Sequence, residues 1–86
     1  MDTRLNLDVQ YYDNIPLRLI NRKDYPWRKA KRFTVNGTNQ NVWIPNKHLL
    51  DDGTIRENAN LDYVFLKAEH QKILYYAGII WKKEKT

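Results

Sequence analysis

Apolar and polar residues alternate from the start of the chain, with Leu5, Leu7, Val9 and Tyr11 on one side and Asn6, Asp8 and Gln10 on the other. That period of two predicts a half-buried strand over residues 5–11. Tyr12-Asp13-Asn14 supplies turn chemistry, and Ile15, Leu17 and Leu19 resume the alternation, so 15–20 is the returning arm of a hairpin. Pro16 has no N–H to give to a ladder, which points to an edge position or a looser extended segment. A second hairpin is clearer: Arg32-Phe33-Thr34-Val35 leads into Asn36-Gly37-Thr38-Asn39, and Gln40-Asn41-Val42-Trp43-Ile44 returns. Asn-Gly is a strong bend signal, but a two-residue turn and a four-residue loop give different registers, and the sequence is compatible with both.

Beyond Pro45 the period changes. Asn46-Lys47-His48-Leu49-Leu50 fits one helical turn capped by Asn46, and Asp51-Asp52-Gly53 fits a turn that ends it. Leu61, Val64, Phe65, Ala68 and Tyr75 recur at helical spacing, and Gly78 stands where a helix ends in a left-handed residue, which predicts one main helix over 61–77. Tyr63, Leu66, Ile73 and Ala77 form a second apolar strip on that helix. Either the N-terminal hairpin wraps around it, or a second copy or another protein covers it. His70, beside Glu69, falls off the main apolar face and reads as an exposed polar residue. Ile79-Ile80-Trp81 reads as a short strand returning to the sheet, and 82–86 as a frayed tail. The expected fold is α+β, two antiparallel hairpins packed on one helix in a single domain over residues 1–86.

Composition limits what such a fold does. The 86 residues are 42% hydrophobic and 13% aromatic with three Gly and three Pro, enough for one packed core. A chain this short buries only about 60% of its unfolded surface, so association with a partner or a second copy, a homodimer, is a natural expectation. No apolar run approaches the roughly 20 residues of a membrane span, and the first residues lack the basic and apolar regions of a secretory signal. The expectation is a cytoplasmic protein with no membrane partner. The chain contains neither Cys nor Ser, which removes disulfides, thiolate metal sites and the two commonest acyl-transfer nucleophiles. The two histidines, His48 and His70, are far apart in sequence, no phosphate-cradling glycine loop is present, and no metal, cofactor or catalytic residue is expected.

Charge is the feature that composition does not explain away. The chain carries a formal +5, while residues 18–32 alone carry +6: Arg18, Arg22, Lys23, Arg28, Lys29, Lys31 and Arg32 against Asp24. Such a cluster attracts phosphates through counterion release, and Tyr25 and Trp27 lie within it as rings on which unpaired bases stack. The same run also fits a solvated connection with Trp27 plugging the edge of the core. Trp43, between Asn41 and Asn46, fits a polar-aromatic recognition surface, but β-propensity and a cross-strand contact explain it at lower cost, and the structural reading is preferred. The sequence lacks the motifs of the common sequence-reading modules, so phosphate-dominated binding of DNA or RNA with little base discrimination is the expected form.

The stretch from Asn36 to Leu49, then Asp52-Gly53-Thr54-Ile55 and Leu61-Asp62-Tyr63-Val64-Phe65, resembles small uncharacterised proteins carried by phages and mobile elements of Gram-positive bacteria. The resemblance covers about half the chain and carries no catalytic or ligand-binding residue with it. It implies a compact accessory protein that either handles nucleic acid or binds and inhibits a host protein. The first reading uses Arg22, Lys23, Tyr25, Trp27, Arg28, Lys29, Lys31 and Arg32. The second uses the helix strip of Tyr63, Leu66 and Ile73.

Overall fold

The computed structural model describes residues 6–20 and 29–81. Four antiparallel strands, β1 (Gln10–Tyr12), β2 (Ile15–Leu19), β3 (Ala30–Val35) and β4 (Asn41–Pro45), form one sheet in chain order. A single turn of 3-10 helix, Asn46–His48, follows β4, and two helices, α1 (Asp62–Phe65) and α2 (Ala68–Tyr76), close the chain over one face. The architecture is the expected small α+β fold.

The core follows from the period-two pattern. Ile15, Leu17, Leu19, Phe33, Val35, Val42 and Ile44 all point to one side of the sheet and are buried against Leu49, Leu61, Val64, Phe65, Leu74, Ala77 and Trp81. Burying a side chain of this size contributes about 1.5–3 kcal/mol, so this set supplies the main favourable term of folding.

The N-terminal strand is shorter than the alternation predicts and has the opposite parity. Only Gln10–Tyr12 pair with β2, and Tyr11 is 68% exposed while Tyr12 faces inward and stacks on Phe65 at 5.7 Å between centroids. The reversal has a polar cause. Gln10 sits on the inner side because its amide clamps the 51–55 loop, donating to the Gly53 carbonyl at 3.1 Å and accepting from the Ile55 N–H at 2.7 Å. Leu5, the start of the expected strand, lies outside the described residues.

β2 is internal, contrary to the edge position inferred from Pro16. Pro16 is tolerated because its backbone faces Asn36, one step past the last paired residue of β3: its carbonyl accepts from the Asn36 N–H at 2.9 Å, and the missing N–H forfeits only a rung that the turn would have ended. β3 begins two residues earlier than expected. The β3–β4 bend has left-handed residues at Asn36 (φ 54°) and Gly37 (φ 68°), and Thr38 N–H returns to the Val35 carbonyl, as in a type I′ turn. The loop nonetheless spans 36–39, because Val35 N–H bonds to the Gln40 carbonyl.

The largest correction concerns the helix. Lys67 is extended (φ −62°, ψ 139°) and splits the expected 61–77 helix in two. The break advances the buried face by about two residues. Leu61, Val64 and Phe65 are buried before it and His70, Leu74 and Ala77 after it, so Ala68 and Tyr75, on the predicted core face, are exposed. His70 is consequently 6% exposed and not a surface residue. The 3-10 turn follows Pro45 without a side-chain cap, and Asn46 instead accepts from Lys31 Nζ.

Residues 79–81 form no strand. α2 ends in a Schellman motif, with Gly78 N–H to the Tyr75 carbonyl and Ile79 N–H to the Leu74 carbonyl, and φ 79° at Gly78 is the left-handed residue the sequence pointed to. This turn aims Trp81 inward, where it meets Phe65 edge-on at 5.7 Å and donates Nε1 to Asp13 Oδ2 at 3.0 Å. The tail at 82–86 lies outside the described residues.

Candidate nucleic-acid interface

In a strand, the positions between core residues face the other side of the sheet. On β2 these are Pro16 and Arg18, on β3 Ala30, Arg32 and Thr34, and on β4 Asn41, Trp43 and Pro45. The register sets them side by side: Arg18 opposite Thr34, Thr34 opposite Asn41, Arg32 opposite Trp43 and Ala30 opposite Pro45. The strands contain no Asp or Glu at any position. This outer face therefore combines two guanidinium groups, an indole, and hydrogen-bonding Thr and Asn side chains.

Among the described residues, no carboxylate holds either arginine. Arg18 Nε donates to the Leu7 carbonyl at 2.9 Å, and the Arg32 guanidinium lies 5.6 Å from the centre of the Trp43 ring. Neither makes an ion pair with a described acidic residue, so both keep their full charge for an external anion. Cation–π contact fixes the Arg32 side chain without neutralising it. Beside this pair, Lys29, Ala30, Trp43 and Pro45 line a shallow hollow of about 410 Å³.

The basic run does not act as one unit. Alternation sends Lys31 to the opposite side from Arg32, where its ammonium bonds Asn46 Oδ1 at 3.2 Å. Arg32 lies at the outer face, Arg18 joins it from β2, and Lys29, just before β3, borders the hollow there. Arg22, Lys23, Tyr25, Trp27 and Arg28 lie outside the described residues. Sequence reasoning counted Arg18 within the charge cluster and left it out of the binding set, and it favoured a structural role for Trp43. Parity with the buried Leu17, Leu19, Val42 and Ile44 is the signal that places both on the outer face.

The alternative strip is divided by the helix break. Tyr63 and Leu66 are exposed, while Ile73 packs against the core. Tyr63 is also engaged locally: its hydroxyl meets His48 Nε2 at 2.6 Å, and Lys47 Nζ lies 5.8 Å from its ring centre. Partial desolvation, with Lys47 next, lowers the His48 pKa below its ordinary value. Among the described residues no group of three His, Asp or Glu side chains is arranged to hold a metal ion, and no helix is long and apolar enough to cross a membrane.

No protein-family model matches the chain, and neither a curated protein nor a solved structure matches it.

Proposed function

We propose that this chain is a non-enzymatic accessory protein that binds nucleic acid, of the kind carried by phages and mobile elements, acting in the cytoplasm and gripping phosphates in preference to reading sequence. The observation that carries the reading is the outer sheet face, where Arg18 and Arg32 have no carboxylate partner among the described residues and lie on strands that contain none. Asn41 beside them suits a phosphate oxygen as a further donor, since its amide has a second N–H beyond the one it gives to the Asn39 carbonyl. Residues 18–32 add Arg22, Lys23 and Arg28 to the same short piece of chain, and the net charge of +5 favours encounter with a polyanion. A binding role also accords with a chain that has no Ser or Cys nucleophile.

The test is fluorescence anisotropy with labelled oligonucleotides of several sequences across a salt series. Affinity is expected to fall steeply with salt and to vary little with sequence. An Arg18→Gln, Arg32→Gln double variant should weaken binding to every sequence alike and flatten the salt slope by about two counterions. A double variant that binds as tightly as the parent, with the same slope, would exclude this face. Binding to a protein partner through Tyr63, Leu66 and Ile73 is the runner-up, and the packing of half-buried Ile73 against the core weighs against it.

A further inference from the structure

We infer that a second hollow on the outer sheet face, bounded by Val9, Pro16, Arg18, Thr34 and Thr38, seats a ribose together with its phosphate, so that the preferred partner is RNA and not DNA. This inference rests on the nucleic-acid reading above and sharpens it.

The hollow lies over β2. Leu17 and Leu19 turn their side chains to the core, so the main chain of β2 forms the floor, and Pro16 and Arg18 rise from it on the outer side. Val9 closes the side toward β1. Thr34, opposite Arg18 in the register, closes the other side with Thr38 from the β3–β4 bend. The volume of about 400 Å³ falls within the range of small-ligand sites. Val9 is 51% exposed, an apolar side chain with open surface beside a cation. At the bend the wall is low, because no atom stands within 4 Å of where a Gly37 side chain would begin, which leaves a continuing chain a way out.

The direction of the hydrogen bonds decides the occupant. Arg18 uses Nε on the Leu7 carbonyl, its one hydrogen bond among the described residues, and so keeps the four N–H groups of its two terminal nitrogens for an anion. The hydroxyls beside it have the opposite polarity. Thr34 Oγ1 donates its proton to the Arg18 carbonyl at 3.3 Å, and Thr38 Oγ1 donates to the Val35 carbonyl at 2.6 Å while accepting from the Gln40 N–H at 3.1 Å. Both therefore offer the hollow lone pairs and no hydrogen. A phosphate oxygen, which only accepts, is served by Arg18 and gains nothing from Thr34. The fitting ligand carries an anion for Arg18, an O–H for Thr34 and a carbon face for Val9 and Pro16. A DNA strand supplies phosphate and sugar carbons, but its sugar has no hydroxyl within the chain. One nucleotide of RNA supplies all three, because its 2′-hydroxyl can donate.

The experiment measures fluorescence anisotropy with one labelled single-stranded sequence of A and C, about twelve nucleotides long, made as RNA, as DNA and as 2′-O-methyl RNA, at equal salt. The parent protein is expected to bind RNA most tightly, and the 2′-O-methyl strand, which keeps the oxygen and loses the proton, should bind as DNA does. Thr34→Val keeps the branched shape that suits a strand and removes the accepting oxygen; it should reduce RNA affinity by roughly 2- to 13-fold and leave DNA affinity unchanged. Thr34→Ser should retain the preference. Arg18→Gln should weaken RNA and DNA alike. Equal affinity of the parent for RNA and DNA, an RNA preference that survives both Thr34→Val and 2′-O-methylation, or a Thr34→Val loss shared equally by DNA overturns the inference while leaving phosphate binding intact. Absence of salt-dependent binding to any of the three strands overturns both.

Discussion

Asn36, the first residue of the β3–β4 bend, donates its side-chain Nδ2 to the Ala77 carbonyl at the end of α2, at 2.9 Å. The last carbonyls of a helix have no partner within it, and here one of them is satisfied by a hairpin forty-one positions away in the chain. The bond ties the end of the sheet to the end of the helix layer. Asn36 is also left-handed, a conformation that Asn tolerates better than most residues. The two roles separate by substitution. Asn36→Gly keeps the backbone conformation and loses the bond, for an expected cost of about 1 kcal/mol. Asn36→Ala loses the bond and adds backbone strain of roughly 1–2 kcal/mol. Urea denaturation should rank the parent above Asn36→Gly and Asn36→Gly above Asn36→Ala; equal midpoints for the parent and the glycine variant would remove the bond as a stabilising contact.

Two glycines with positive φ differ in what surrounds them. Gly37 (φ 68°) has no atom within 4 Å of where a Cβ would stand, whereas a Cβ at Gly53 (φ 88°) would lie 2.6 Å from Leu19 Cδ2. Leu19 is buried, so its methyl group has little room to retreat. Gly37→Ala is therefore expected to cost only backbone strain, about 1–2 kcal/mol. Gly53→Ala should cost a further 1–3 kcal/mol, approximately, for overpacking. Thermal unfolding of the two variants checks the order, and equal melting temperatures would contradict the packing argument.

The strands and the bends were largely legible because their signals are local: alternating Ile15, Leu17 and Leu19, the Asn36-Gly37 pair, and Gly78 at the end of the last helix. What escaped was set by distant polar partners. Gln10 faces inward because the 51–55 loop needs its amide, which inverts the parity read from Val9 and Tyr11. Trp81 is drawn in by Asp13 and by the Schellman turn, and so does not extend a strand. For the candidate site, the charge cluster was visible as composition, but adjacent cations on a strand point to opposite faces. Lys31 and Arg32 therefore part company, while Arg18, fourteen positions before Arg32, joins it through the β2–β3 register.

Tyr12 supplies a pH signature. Its hydroxyl donates to the Asp62 carboxylate and accepts the Leu61 N–H at 3.0 Å, which fastens β1 to the start of α1. Burial first, and then the Asp62 hydrogen bond, push the phenol from 10.0 up to about 12. A folded-state value above the unfolded one means that the neutral form is favoured by folding. The associated stability is complete below pH 10 and is lost as pH rises from there through about 12. Tyr12→Phe keeps the stacking on Phe65 and removes the hydroxyl. It should lower stability at neutral pH by about 1–2 kcal/mol and reduce the decline above pH 10. Denaturation midpoints of both proteins at several alkaline pH values check this, and parallel curves would refute it.

The break at Lys67 has a hydrogen-bonding explanation that is open to mutation. A helix ending at Phe65 leaves its final carbonyls without intrahelical partners. The first turn of α2 supplies them: His70 Nδ1 donates to the Val64 carbonyl at 2.7 Å, in the tautomer that an accepting carbonyl requires, and Gln71 Nε2 donates to the Phe65 carbonyl. The His70 ring is buried and lies 6.4 Å from the Phe65 ring, so it fills space as well as capping. His70→Ala loses both functions and should destabilise by roughly 2–3 kcal/mol. His70→Asn keeps an amide donor close to the Nδ1 position and should recover part of that loss. Gln71→Ala should cost about 1 kcal/mol. Because both side chains hold the same helix end, the double Ala variant is expected to depart from additivity, which a double-mutant cycle by urea denaturation measures. If His70→Asn is as unstable as His70→Ala and the two sites are additive, the junction is held by packing alone and the capping account fails.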